Sequence, residues 1–281
     1  MPRGVLSKIR GPHPNCGVSM SALKIITPAV LCGLIASPAM ASEPYGDWYA
    51  QISVGVSAQG DSDNSGAFAE EFSTGAGTTI DAGTALAAGT PVNWTTTFDY
   101  APTGSIAFGR RFDSVRTEIE LSYSVADVDK HKNVRAGDTV LTNEDAAVLI
   151  TGQNTPLDLT VGELVADGQG QLKNGFVFAN AYYDFDTGTD LTPYVGIGLG
   201  IAFADVEYRP SATQIVSDKE SGVAWQLMGG ASYRVMGNQE IFGGLRYRQG
   251  ADIDTSATLL PADLDIENTA IIAEAGFRLE F

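Results

Sequence analysis

The sequence predicts an all-β fold, an eight-stranded, antiparallel, up-and-down β-barrel whose strands cross a membrane. Three observations predict it. Eight stretches between residues 47 and 281 alternate apolar and polar side chains with a period of two, which places unlike residues on the two faces of a strand. The links between them alternate in length: short after the second, fourth and sixth stretches, long after the first, third, fifth and seventh. The apolar face is bulky, whereas the other face carries mainly Gly, Ser, Ala, Asn and a limited set of charges. A soluble barrel buries its bulky face and solvates a charged one. Here the bulky face suits lipid and the small, polar face suits a narrow lumen.

The first strand, Asp47 to Ser57, sets Trp48, Ala50, Ile52, Val54 and Val56 against Tyr49, Gln51, Ser53, Gly55 and Ser57. Residues 59–95, rich in Gly, Ala, Thr and Asp, show no apolar period and read as a long connection. The second strand runs from Thr96 to Arg110, with a defect expected at Pro102, which cannot donate to a ladder. Phe112-Asp113-Ser114 turns the chain. In the third, Val115 to Val125, Val115, Thr117, Ile119, Leu121, Tyr123 and Val125 oppose Arg116, Glu118, Glu120, Ser122 and Ser124. Residues 127–174 form the longest irregular stretch, with room for a short helix or a hairpin.

The fourth strand is Gly175 to Phe185, followed by the turn Asp186 to Asp190. The fifth, Leu191 to Ala204, places Gly196, Gly198 and Gly200 at alternate positions, so long side chains of neighbouring strands must crowd that face. Residues 205–221 are irregular. The sixth strand is Val223 to Tyr233, the seventh Glu240 to Arg248, joined by Met236-Gly237-Asn238-Gln239. After residues 249–267 comes the eighth, within Asn268 to Phe281, where Ile271, Ala273, Ala275, Phe277, Leu279 and Phe281 share a face and Ile272 is the misfit. Aromatics gather near strand ends (Trp48, Tyr100, Tyr123, Tyr183, Phe185, Phe203, Trp225, Tyr233, Tyr247, Phe277, Phe281), as interfacial girdles do.

Residues 1–41 read as a signal peptide. Lys24 supplies the positive charge, Ile25 to Ala36 a short apolar core holding Pro28, and Ala39-Met40-Ala41 a small-x-small site, with cleavage expected between Ala41 and Ser42. The apolar run is short for a membrane helix. Met20 begins a complete signal by itself, so residues 1–19 are an over-extended start or a long n-region. Both cysteines, Cys16 and Cys32, lie in this part, so residues 42–281, the expected barrel domain, have no cysteine chemistry. The whole chain carries a net charge of −17; Arg3, Lys8, Arg10 and Lys24 precede residue 42 and no acid does, which leaves 13 basic and 34 acidic residues beyond it. That balance argues against nucleic acid as a partner.

DWYAQISVGVS, RTEIELSY, ANAYYDF, TPYVGIGLGIAF, GLRYR and AGFRLEF, in this order and spacing, resemble the strands of the opacity-type, OmpA-like eight-stranded outer-membrane β-barrel proteins, a group of porin-like surface antigens of Gram-negative bacteria. The resemblance covers nearly all of 43–281. It implies short periplasmic turns, long extracellular loops, and a C-terminal strand ending in Phe281 that serves as the signal to the barrel assembly machinery. Outer-membrane lipid and lipopolysaccharide are the other implied partners. The long loops carry no signature of a ligand, and no soluble peptidoglycan-binding domain is expected.

Barrel-interior charges are the candidate site. Arg116, Glu118, Glu120, Arg246, Arg248, Glu274 and Arg278, with Asp184, Arg234 and Glu240, fall on the polar parity and must pair if buried. An eight-stranded lumen is filled by side chains, so these charges are expected to form a structural polar network and no wide pore. The functional expectation is a structural and surface role, in envelope integrity, adhesion or antigenicity through the loops. The alternative is a low-conductance porin in which Glu118, Glu120 and Arg246 switch partners. An outer-membrane enzyme or a periplasmic lipocalin-like binder ranks behind both. His131 is the one histidine after residue 42 and reads as a solvated loop residue without nucleophile or orienting partner. Asp61 to Gly66 opens like a calcium loop, but Phe72 stands where the bidentate Glu belongs. No cofactor, metal or catalytic residue is expected.

Overall fold

The computed structural model describes residues 47–166, 168–209, 216–250, 253–256 and 262–281. The expected signal peptide, with its Ala41/Ser42 cleavage site, lies outside the described residues. The barrel strands are β1 (Trp48–Gln59), β2 (Ala101–Phe112), β3 (Val115–Ala136), β4 (Gly170–Asp184), β5 (Leu191–Tyr208), β6 (Val216–Met236), β7 (Gln239–Gln249) and β8 (Thr269–Glu280). Each pairs antiparallel with its sequence neighbour among these eight. β1 also pairs with β8, with Gln51 opposite Arg278 and Val54 opposite Ala275, and this ladder closes the ring. Closure leaves no strand edge to lipid, the condition for a sheet to span a bilayer.

The lipid face is a band of exposed apolar side chains. On β5, Val195, Ile197, Leu199, Ile201 and Phe203 are all at least half exposed, and Leu199 reaches 66%. Two aromatic belts bound the band. At the short-turn rim, Trp48 stacks on Phe108 at 5.2 Å between ring centroids, Phe108 meets Phe281 at 6.0 Å, and Tyr183 meets Phe185 at 5.0 Å. Trp225 and Tyr247 pair at 5.4 Å near the opposite rim, where Tyr100, Tyr123 and Phe203 are also exposed. Phe277 is only half exposed.

Four strands run further than the hydropathy period shows. β3 is 22 residues long and β6 is 21, and β4 and β5 also extend past the membrane band. The period fades because the inward face changes character: on β3 it runs Arg116, Glu118, Glu120, then Ser122, Ser124, then Ala126, Val128. Above the band apolar residues turn inward, as in a soluble core.

The second strand begins at Ala101, not Thr96. The chain bends at Asp99 and Tyr100, and Pro91–Phe98 is a separate strand outside the ring. Pro102 sits near the start of β2, opposite Val56. Residues 59–95 are likewise not structureless. Ser62–Phe68 pairs with Pro91–Phe98 (Asn64 opposite Trp94) and with Ala262–Ile266 (Gly66 opposite Leu264), and Ile253–Ser256 pairs with the latter. Pro91–Phe98 lies on the upper half of β3, Thr96 opposite His131. Their buried positions mix polar Ser62, Asn64, Thr96 and Thr97 with apolar Phe68 and Val92, so hydropathy shows no clean period. The result is a sheet beyond the membrane band that joins the first, second and last long connections. Within 137–169, a 3-10 turn (Ala146–Leu149) and a short helix (Val161–Val165) pack beneath it; the helix starts with a capping box in which Thr160 and Glu163 bond each other's backbone N–H.

Candidate functional site

Three lateral layers fill the lumen. At the short-turn rim, Arg111 reaches Asp184 (3.1 Å), Glu240 (3.3 Å) and Glu280 (2.8 Å). Asp184 also accepts from Arg116 Nε at 2.6 Å, and Glu240 from Arg278 at 2.6 Å and Arg234 at 3.1 Å. The Arg116 guanidinium lies 4.6 Å from the Tyr182 ring and 5.4 Å from Tyr194, and Arg278 lies 5.2 Å from Tyr49 and 5.1 Å from Phe242. Arginine suits this place because its flat, weakly hydrated cation stacks on rings and pairs with carboxylates at once.

In the mid-lumen, Glu120 accepts from Arg246 at 2.6 Å and Arg248 at 3.3 Å, and Arg246 bonds Glu274 at 2.7 Å. Gln226 takes a hydrogen bond from Arg248 (3.0 Å) and gives one to Asn180 (2.9 Å), which donates to Glu120 (2.8 Å). Glu118 is held differently. Neutral donors surround it: the Tyr49 and Tyr182 hydroxyls at 2.9 Å each, Asn180 at 3.0 Å and Gln51 at 3.3 Å. Gln51 in turn accepts from Arg278 at 3.0 Å, which links this layer to the rim layer. Above lies an apolar layer of Phe176, Phe178, Ala202 and Ala224, on which Arg248 rests at 4.4 Å from the Phe176 ring. Ile272, the misfit of the eighth strand, is buried at this height, beside Ser57 and Phe176. An Asn174–Asn268 pair at 2.8 Å, with Gln59 on Asn268 at 3.0 Å, closes the top.

Arg116, Glu118, Glu120, Arg246, Arg248, Glu274 and Arg278 therefore all lie inside the ring, along with Asp184 and Glu240. Arg234 sits at the rim with its side chain 47% exposed. Sequence reasoning did not name Arg111, which stands next to a turn. It also passed over the neutral members Tyr49, Gln51, Asn180, Tyr182 and Gln226, although each lies on the polar parity of its own strand. That parity was the available signal.

Gly198 on β5 accounts for how the layer fits. A Cβ there would stand 2.2 Å from Asn180 Oδ1 and 2.8 Å from Gln226 Cγ, so the glycine makes room for the hydrogen bond between those two side chains.

Beyond the membrane band, His131 differs from its expectation as a solvated loop residue. It is buried on the upper half of β3, with Nδ1 2.8 Å from Thr96 Oγ1 and its ring edge-on to Tyr208 at 5.0 Å. The extension of β3 past residue 125 carries it into the interior. Asp61 pairs with Lys132 at 3.0 Å beside the strand Ser62–Phe68, which leaves no calcium-loop geometry there. Among the described residues, no group of three or more His, Cys, Asp or Glu is placed to hold a metal.

Two neighbouring carboxylates fasten the long connections. Glu144 accepts from the Thr79 N–H at 2.8 Å and from the Thr79 hydroxyl. Burial pushes its carboxyl up, but these bonds outweigh burial and hold it below the usual carboxylate range. Asp145 accepts from the N–H groups of Leu157, Ala147 and Asp158, each at 2.9 Å, and those bonds hold its carboxyl low.

A ring of eight strands with an apolar band, two aromatic belts and a charged interior is an outer-membrane architecture. The sequence model of the surface antigen family matches residues 81–270. The chain belongs to that family. As a surface antigen it is a bacterial outer-membrane β-barrel with a surface and structural role, and its short turns face the periplasm. Solved structures similar to it include Neisserial surface protein A (16% identity over 85% of this chain and 100% of that one, TM-score 0.39). Others are outer membrane protein OprG from Pseudomonas aeruginosa (14% identity, 84% and 97%, TM-score 0.45) and Ail, the attachment invasion locus protein of Yersinia pestis (13% identity, 83% and 99%, TM-score 0.32). No curated protein matches the chain.

Proposed function

We propose that the barrel is a closed anchor and that its activity at the surface resides in the extracellular sheet and loops it carries, in adhesion or envelope integrity and not in transport. The observation that carries this reading is the unbroken lateral network Arg111–Glu240–Arg278–Gln51–Glu118–Asn180–Glu120–Arg246–Glu274, which ties β1, β2, β3, β4, β7 and β8 across the lumen. Buried ion pairs of this kind resist opening, because separating the partners strands a charge in a dry interior. Planar-bilayer recording of the refolded full chain tests it: no resolvable current steps are expected, and stable unitary steps would overturn the reading.

A narrow, wetted ion path is the second reading. It is favoured by buried polar atoms of the network that lack a protein partner among the described residues: Arg116 Nη1 and Nη2, Arg248 Nη1 and Asp184 Oδ1. Internal water can satisfy such groups. The same recording separates the two readings.

The export route belongs to the proposal as well. The Gram-negative signal-peptide pattern of residues 1–41, with cleavage between Ala41 and Ser42, supports secretion to the periplasm. The apolar face of β8, with Phe281 after it, supports delivery by the barrel assembly machinery, and the apolar band supports contact with outer-membrane lipid and lipopolysaccharide. The chain itself is proposed to carry no catalytic activity, in keeping with the surface antigen family.

A further inference from the structure

A cavity of about 160 Å³ lies in the extracellular part, above the polar layers and outside the network that fills the lumen. Pro91–Phe98, the upper half of β3, the segment 139–149, the helix Val161–Val165, the segment 68–86 and Tyr208 of β5 surround it. Its wall has an unusual chemistry. Among the described residues, no Asp, Glu, Lys or Arg lines it, although acids are abundant in this chain. Five of the lining side chains are rings: Phe68, Phe72, Trp94, His131 and Tyr208. Phe68 and Phe72 stack at 5.4 Å, and His131 stands edge-on to Tyr208. The remaining wall is aliphatic, apart from threonine hydroxyls, of which Thr84 and Thr139 are exposed at the mouth.

These features select an occupant. A wall without charge gives an ion nothing to replace its hydration. An apolar void of roughly 150 Å³ accommodates a benzene-sized molecule and stays dry without one. Empty, its wall forfeits dispersion contacts that a fitting guest restores. Rings on several sides offer edge-to-face and offset partners for another ring. The threonine hydroxyls and His131 tolerate one hydroxyl on the guest. We propose that this cavity is a binding site for a neutral, single-ring aromatic molecule of the benzene or phenol class, admitted from the extracellular side past Thr84 and Thr139. The site is independent of whether the lumen conducts.

Trp94 supplies the readout. The chain has three tryptophans, and Trp48 and Trp225 face lipid, so a W48F/W225F chain in lipid nanodiscs reports from the cavity wall alone. 4-Bromophenol is titrated as a heavy-atom quencher. Saturable quenching that toluene relieves is expected. Ala136→Phe, which places a ring inside the cavity, should weaken the apparent affinity by at least about tenfold. Thr139→Phe, at the exposed mouth, is the second variant if Ala136→Phe does not give the heat-shifted band of a folded barrel. Linear, unsaturable quenching would overturn the proposal, as would quenching unchanged in whichever variant folds. Relief by octane but not by toluene would overturn the aromatic assignment.

Discussion

Glu118 and Glu120 are two residues apart on one strand, are both buried, and are held by opposite means. Glu120 faces two arginines, whereas Glu118 is solvated by tyrosine, asparagine and glutamine donors. Removing one member of a buried ion pair leaves the other charge uncompensated. Glu120→Gln should therefore lower barrel stability by about 3–5 kcal/mol, read as the urea midpoint of the chain refolded in lipid vesicles. Glu118→Gln, whose partners are neutral and whose amide oxygen still accepts, should cost clearly less in the same assay. Equal losses would contradict the division of roles. Gly198→Val tests the close approach: its side chain would enter the space of Asn180 and Gln226, and overpacking of this kind costs about 1–3 kcal/mol. The expected outcome is a lower temperature for loss of the heat-shifted band in electrophoresis.

At the scale of elements, strands supply the membrane crossing and connections supply the surface. The segment 144–160 depends on two carboxylates bonded to backbone N–H groups. Both have folded pKa values held below their unfolded ones. Their contribution is thus fully present above the ordinary carboxylate range of about 4, and is lost as pH falls through the lower folded values. Protection factors of 144–160, with exchange rates corrected for intrinsic pH dependence, should be high at neutral pH and fall below about pH 4, while strand amides within the membrane band stay protected. Asp145→Asn should speed exchange at neutral pH and flatten the pH dependence of its three bonds. Gly75 belongs to the same fastening. Its N–H donates to Val148 at 3.3 Å, and a Cβ there would stand 2.0 Å from the Ala147 carbonyl oxygen, so the first connection lies directly on the second.

The whole molecule has two interiors of opposite polarity stacked along one axis. Within the bilayer the solvent outside is apolar, so apolar side chains face out and charges face in. Above it the solvent is water and the preference inverts, giving the core of Phe68, Val92, Val128, Leu172, Val206 and their neighbours. From this inversion we expect that the anchor and the surface layer can be varied independently. Lumen variants that abolish the ion pairs should alter stability or conductance and leave aromatic quenching of Trp94 unchanged. Cavity variants should do the reverse, which a paired measurement on Glu120→Gln and Ala136→Phe would check.

The eight crossings, their order and the alternation of short and long links were determined by sequence alone, because a strand between lipid and a packed lumen has no freedom in its period. The charged residues of the lumen were legible for the same reason: Arg116, Glu118 and Glu120 on β3, or Arg246 and Arg248 on β7, could not face lipid. Only the tertiary structure decided which charges meet, since pairing across a closed ring depends on strand stagger, and it added neutral members such as Gln51 and Asn180. It alone decided the extracellular layer. There the buried positions mix Ser62, Asn64 and Thr96 with Phe68 and Val92 on one pair of strands, and Val128 with His131 on the next, so no single segment carries a clean period. Burial in that layer is a property of several segments brought together, which is why His131 reads as a loop residue in one dimension and lines an aromatic cavity in three.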